Sequence, residues 1–261
     1  MKISAANSSL VAIAVLLGTF ASAKPAAASN LNITYFTIAE NDKDANHLGG
    51  GLVNNEVQST LGADGLPILN TPAFGCTSNC FALGAPTDLT ASGEITYWSP
   101  TLNNGGPAGA SDVTQTGTGV VSLPFSNDNF FPPNGNGPND ENGFQAAILS
   151  GTLNAPTAES ISFAIGSDDM AFVYLDGINV CDDGGVHGDG SVPCTTASIG
   201  AGNHTIEVFF VDINNTQSAL DFSITTTGVT TSSGAPEPSS LMLLGTGIVG
   251  AAGAFRRRLA R

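Results

Sequence analysis

The chain has 261 residues, 41% of them hydrophobic and only 11% charged, and its 22 acids against seven lysines and arginines leave a formal net charge of −15. Five of the seven cations sit at the two ends, so no lysine or arginine occurs between residues 44 and 235, and such a surface repels phosphate backbones and anionic lipid and excludes nucleic acid as a partner. The same acidity keeps an exported protein soluble, or else supplies the carboxylates that Ca²⁺ takes as ligands.

At the N-terminus, Lys2 precedes an apolar run from Leu10 to Phe20, and Ala21-Ser22-Ala23 offers a small-residue cleavage site. This is the pattern of a secretory signal peptide over residues 1–23, which leaves the fold to the body that follows. The body, residues 24–225, alternates with a period of two, the mark of half-buried strands. Leu31, Ile33 and Tyr35 open the series, and Glu94 to Trp98 and Gly119 to Leu123 continue it. Ile161, Phe163 and Ile165 follow, then the nearly unbroken apolar run Ala171 to Leu175, the turn Asp176-Gly177 and the return Ile178 to Val180. Ile206, Val208 and Phe210, then Leu220, Phe222 and Ile224, complete it. Helix signals are nearly absent. Many short strands with frequent turn residues predict an all-β, antiparallel, jelly-roll-like β-sandwich. Residues 99–118 and 126–143 read as loops, and residues 226–235, rich in Thr, Ser and Gly, as a flexible spacer.

Four cysteines in an exported chain read as disulfides. Three pairings are possible, and closeness in sequence favours Cys76–Cys80 and Cys181–Cys194. Structural zinc fits neither spacing. Asp42-x-Asp44-x-Asn46 begins like a calcium loop but has His47 where glycine belongs and Val53 where the bidentate glutamate belongs. No GxSxG, HExxH or phosphate loop occurs, and His47, His187 and His204 form no ligand pair at helical spacing. The reading is therefore non-enzymatic.

The C-terminus carries three ordered parts. Pro236-Glu237-Pro238 is followed by the apolar run Leu241 to Phe255, and Arg256, Arg257, Arg258 and Arg261 close the chain. Fifteen residues fall short of the roughly 20 that cross a bilayer comfortably. The arginines would stay on the cytoplasmic side and orient a transient inner-membrane contact. The arrangement over residues 236–261 resembles the PEP-CTERM signal of Gram-negative bacteria that make exopolysaccharide. That resemblance implies a hydrophobic sorting helix, an exosortase-type processing enzyme as partner, and delivery to the cell surface or extracellular matrix.

The most specific interior stretch runs from Phe163 through Ser167-Asp168-Asp169 to Asp176-Gly177, then Gly184-Gly185-Val186-His187-Gly188 and Ala201-Gly202-Asn203-His204. With Asn129 to Pro133 and Gly143-Phe144-Gln145 upstream, it resembles the fibro-slime domain and the wider group of β-sandwich domains typified by protective antigen. The resemblance covers about residues 126–226, and residues 31–125 are expected to complete the same sandwich. In lectin members of the group an Asp pair at this turn binds Ca²⁺, which holds sugar hydroxyls. The matching residues here are Asp168 and Asp169, with Asp212, Asn214 and Asn215 as further ligand candidates by position. A turn whose Asp side chains cap their own backbone is the competing reading. Met170 stands where fibro-slime domains carry a third carboxylate. Asp182, Asp183 and Asp189 surround Gly184 to His187 on a loop closed by Cys181–Cys194, and they form a second cation site, a glycan-binding rim of Asp182, Asp183 and His187, or a solvated loop. Two functions follow from these readings: a Ca²⁺-assisted module that binds extracellular polysaccharide, or a structural matrix protein without glycan affinity.

Overall fold

The computed structural model describes residues 29–45, 51–70, 88–132 and 142–234. The signal peptide, the Cys76–Cys80 pair and the sorting tail with Pro236, Glu237, Pro238 and its arginines lie outside the described residues. Twelve strands occur among those described: β1 (Asn30–Ile38), β2 (Gly51–Val53), β3 (Val113–Ser122), β4 (Phe125–Asn127), β5 (Phe144–Ala155), β6 (Glu159–Asp168), β7 (Met170–Leu175), β8 (Ile178–Val186), β9 (Val192–Ile199), β10 (Gly202–Val211), β11 (Ala219–Ile224) and β12 (Thr230–Ser232). They form two antiparallel sheets. The larger has the order β2-β8-β7-β10-β5-β1-β3, with β12 also pairing to β5, and the smaller has the order β4-β11-β6-β9.

The alternation in β6 and β11 explains how the sheets stack. Ile161, Phe163, Ile165, Leu220 and Phe222 all point inward and are essentially inaccessible. They meet Leu149, Leu153, Ala171, Val173, Ile206, Val208 and Phe210 of the larger sheet, and the rings of Phe163 and Phe222 stack at 6.0 Å. Burying each such side chain contributes roughly 1.5–3 kcal/mol.

The larger sheet is covered on its other face as well. Phe172, Tyr174, Phe209 and Val211 pack against Val57, Leu66, Leu69, Ile95, Tyr97 and Trp98. Those residues belong to an irregular layer, residues 51–70 and 88–112, held together by isolated bridges such as Val57↔Leu69, Ile68↔Glu94 and Leu89↔Ile95. Two-sided burial is why Ala171 to Leu175 is apolar at nearly every position, since strands covered on both faces lose their alternation. Residues 31–125 thus do more than complete the sandwich. β1, β2, β3 and β4 take places in the two sheets, and most of the remaining described residues build a third layer.

Three sequence expectations are corrected here. Glu94 to Trp98 alternates like a strand but makes bridges rather than joining a sheet. β3 begins at Val113, inside the stretch read as a loop. Thr230–Ser232, within the expected spacer, pairs with Thr152–Asn154 of β5, and the Asn32 side-chain amide reaches the Ser233 carbonyl.

The Asp176-Gly177 hairpin forms as predicted. Both residues have positive φ, 51° and 74°, the signature of a type I′ turn. Cys181 and Cys194 are bonded, with Cα atoms 5.5 Å apart. The bond ties β8 of the larger sheet to β9 of the smaller, so it joins the layers and does not merely pin a loop. Replacing both cysteines with serine should cost about 3 kcal/mol, the chain entropy of a loop this short. Urea unfolding with and without reductant checks this, and equal midpoints would count against it.

Candidate functional site

The chain changes sheets at the Asp pair. Asp168 ends β6 opposite Ala219 of the smaller sheet, and Met170 begins β7 opposite Val211 of the larger. Asp169 alone spans the gap, through a cis peptide bond with Asp168. Both carboxylates therefore lie at one end of the sandwich, where the strand ladders run out. Their exposures are only 4% and 1%.

The loop between β10 and β11 folds onto this pair. Ile213 N donates to Asp169 Oδ2 at 2.8 Å, and the Asn214 amide bonds the same carboxylate. Asn214 N also lies 3.1 Å from Asp212 Oδ1, and Thr216 Oγ1 donates to Asn214 Oδ1 at 3.2 Å. Asp169 Oδ1 is buried without a hydrogen-bond partner. Burial pushes the Asp169 carboxyl up to about 8, the two amides oppose the rise, and the neighbouring Asp168 adds to it. Asp168 is raised too, chiefly by burial, while a proton shared with the Asp169 carboxyl, the His187 charge and the Asp189 amide resist the change.

The acid pocket extends through Ser167. Its Oγ is 2.8 Å from both the Asp169 carbonyl oxygen and Asp183 Oδ2, and its single proton serves one of them. Asp183 is fully buried, and His187 Nε2 stands 3.3 Å from its Oδ1. Burial alone would lower the His187 imidazole. The Asp183 carboxylate and the Gly188 carbonyl outweigh burial and raise it to about 9, so the ring is cationic at neutral pH. His187 is the counter-charge that this pocket carries of its own.

The structure brings some of the sequence candidates together and separates others. Asp168, Asp169 and the 212–215 loop share the site. Asp182, Asp183 and His187 do not form one rim. Neighbouring strand residues point to opposite faces. Asp182 Oδ2 accepts from Val57 N at 3.1 Å beneath the third layer, while Asp183 is sealed against Ser167. Of the three, only His187 is near the surface by the Asp pair. Sequence reasoning missed Ser167. Asp189, read with Asp182 and Asp183, instead joins Asp128 and Asp221, and the three place carboxylate oxygens within 4.8 Å of one another on the outside of the smaller sheet. Those three are far apart in sequence, and the pairing of β11 with β4 and with β6 gathers them, setting Asp221 opposite Ser126 and Gly166.

A hard divalent cation suits this donor set. Asp168 and Asp169 are adjacent acids that cannot both ionise uncompensated, and a buried carboxylate oxygen lacks a donor. Such an ion would be held by Asp168 and Asp169, and it would supply coordination positions that vicinal hydroxyls can take.

Among the described residues the chain is thus an antiparallel, nearly all-β protein of two stacked sheets with a pair of adjacent buried acids at one end. Residues 235–258 match the PEP-CTERM protein-sorting motif, which marks an exported protein handled by an exosortase. No curated protein matches the chain. Among solved structures it is similar to a PA14 sugar-binding domain from an RTX adhesin, at 13% identity and a TM-score of 0.34, over 79% of this chain and 96% of that one. It is similar to the PA14 domain of the MpAFP antifreeze protein at 10% identity and a TM-score of 0.35, over 80% and 93%. A β-glucosidase from Kluyveromyces marxianus aligns at 10% identity and a TM-score of 0.28, over 32% of this chain and 11% of the enzyme.

Proposed function

We propose that this protein is a non-enzymatic component of a Gram-negative cell surface or matrix that holds extracellular polysaccharide at the Asp168–Asp169 end of its sandwich, with Ca²⁺ as the bridge. The observation that carries the reading is Asp169: a buried carboxylate beside a second carboxylate, with one oxygen fixed by loop amides and the other without a donor. A bound cation relieves the repulsion between the pair and leaves positions for sugar hydroxyls, which lets an acidic body bind a polyanionic glycan without direct repulsion. The sorting motif supports the reading, because an exported protein can meet such a ligand outside the cell.

The test is calorimetric titration with calcium followed by a glycan array with and without chelator. Asp169→Asn should weaken calcium at this site by at least about 100-fold, because ligand charge sets affinity, and should abolish chelator-sensitive glycan retention. Glycan signal that survives both chelator and the substitution would sink the calcium bridge.

One observation favours a second reading. His187 already places a positive charge against Asp183, so the pocket is partly compensated without a metal. On that reading the sandwich is a structural matrix element. It then takes up no calcium here, retains no glycan, and keeps its stability in chelator.

A further inference from the structure

A second group of acids lies at the same end of the larger sheet, beyond the edge of the site above. Asp42 follows the exit of β1, Asp112 precedes the entry to β3, and Asp88 comes from the third layer. The sheet itself brings the first two together, because Ile38 is registered with Val113 and Ala39 N donates to the Asp112 carbonyl at 3.0 Å. One carboxylate oxygen from each of Asp42, Asp88 and Asp112 lies within 4.8 Å of the others.

An acidic cluster alone would mean little, but here two oxygens are stranded. Asp42 is only 6% exposed. Its Oδ1 is used by the local turn, accepting from Asp44 N at 2.6 Å and Ala45 N at 2.8 Å. Its Oδ2 and Asp112 Oδ1 are both buried, and no donor meets either of them except a proton that the two acids would have to share. Asp88 is fully buried and bonded to the Asn103 side-chain amide. The backbone closes around the group. A methyl on Gly105 would stand 2.6 Å from Asp88 Oδ1 and 3.0 Å from both Asp112 oxygens. Lys43, the sole lysine or arginine among the described residues, is exposed. A buried carboxylate oxygen with neither donor nor cation costs several kcal/mol unless something compensates it.

We propose that Asp42, Asp88 and Asp112 form a second site for a hard divalent cation of the Ca²⁺ type, distinct from the Asp168–Asp169 site. The ion would join the exit of β1, the entry of β3 and the third layer, and so lock that layer onto the sheet.

The experiment measures calcium bound per chain by equilibrium dialysis of the purified full-length protein, with Asp42→Asn and Asp168→Asn/Asp169→Asn compared with wild type. Asparagine keeps the Oδ1 acceptor for Asp44 and Ala45, so the turn survives. Without its charge the variant should melt in chelator at or above the wild-type temperature, which separates loss of the ion from loss of the fold. Wild type should bind at both sites. Asp42→Asn should weaken one class by at least about 100-fold and leave the other in place. Asp112→Asn should reproduce the loss. Calcium uptake unchanged in Asp42→Asn overturns the proposal, as does uptake that the Asp168→Asn/Asp169→Asn change alone abolishes. No uptake by wild type overturns both sites.

Discussion

Replacing Trp98 with alanine should destabilise the protein by about 4 kcal/mol, the usual cost of deleting a large buried aromatic side chain, and should loosen the third layer before the sandwich itself unfolds. The layer has few ladder hydrogen bonds of its own, so side-chain packing attaches it. Trp98 is its principal anchor. It is 3% exposed, its ring meets Phe209 edge-on at 5.2 Å, and its indole N–H donates to the Phe210 carbonyl at 2.7 Å. Alanine removes the ring contacts and that bond together. Trp98→Phe keeps most of the packing and should cost less, with about 1 kcal/mol of its effect assignable to the hydrogen bond. Urea unfolding followed by circular dichroism measures both variants, and limited proteolysis between residues 51 and 112 reports the layer directly. A Trp98→Ala protein as stable and protease-resistant as wild type would mean that the layer is not packed on the sheet through this side chain.

The two sheets were legible in the sequence because their inward positions alternate. Ile161, Phe163 and Ile165 carry that signal, and all three are buried as read. β5 was not legible, although it lies in the middle of the larger sheet between β10 and β1. Its Ala146 and Ala147 are fully buried but small, and they interrupt, between Phe144 and Ile148, the bulky alternation by which a strand is recognised. β9 was hidden for the opposite reason. It is an edge strand of mixed, mostly small residues, largely exposed, and Pro193 sits within it. Glu94 to Trp98 misled because alternation reports a half-buried extended segment and not its partner. Here Ile95 and Tyr97 are buried against the larger sheet, while Glu94 accepts from the Asp64 amide and the Ser92 hydroxyl within the layer.

The candidate site divides in the same way. Asp168 and Asp169 could be singled out because they are consecutive and precede a strand. Asp182 and Asp183 look equivalent in sequence, yet strand geometry sends them to opposite faces of β8. The Asp42–Asp88–Asp112 group could not be seen at all, since its members are separated by 46 and 24 positions and only tertiary packing joins them.

In chelator, the protein should lose stability as pH rises from about 4.5 to about 8, the interval between the ordinary carboxyl of Glu56 and its folded value. Glu56 is fully buried between the third layer and β8, where its Oε2 accepts from Gly185 N at 2.5 Å. Burial pushes its carboxyl up to about 8, and the charge of Asp182 adds to the rise. Asp182 is itself raised to about 6, chiefly by burial, with the Val57 and Glu56 amides opposing. The sign follows from proton counting. Within the interval the folded chain holds a proton that the unfolded chain has released, so raising the pH favours unfolding. The contribution is complete below the unfolded value and lost above the folded one. Each pH unit between the two is worth about 1.4 kcal/mol, so the full change is on the order of 3–5 kcal/mol. Glu56→Gln cannot ionise and should remove this component. Its melting temperature should lie near that of wild type at pH 4 and well above it at pH 9, when both are scanned calorimetrically in chelator. The difference between the two proteins isolates Glu56 from the other raised acids, which titrate in both. A difference that stays flat from pH 4 to pH 9 would show that Glu56 ionises freely, and the packing of residues 51–57 against β8 would then need redrawing.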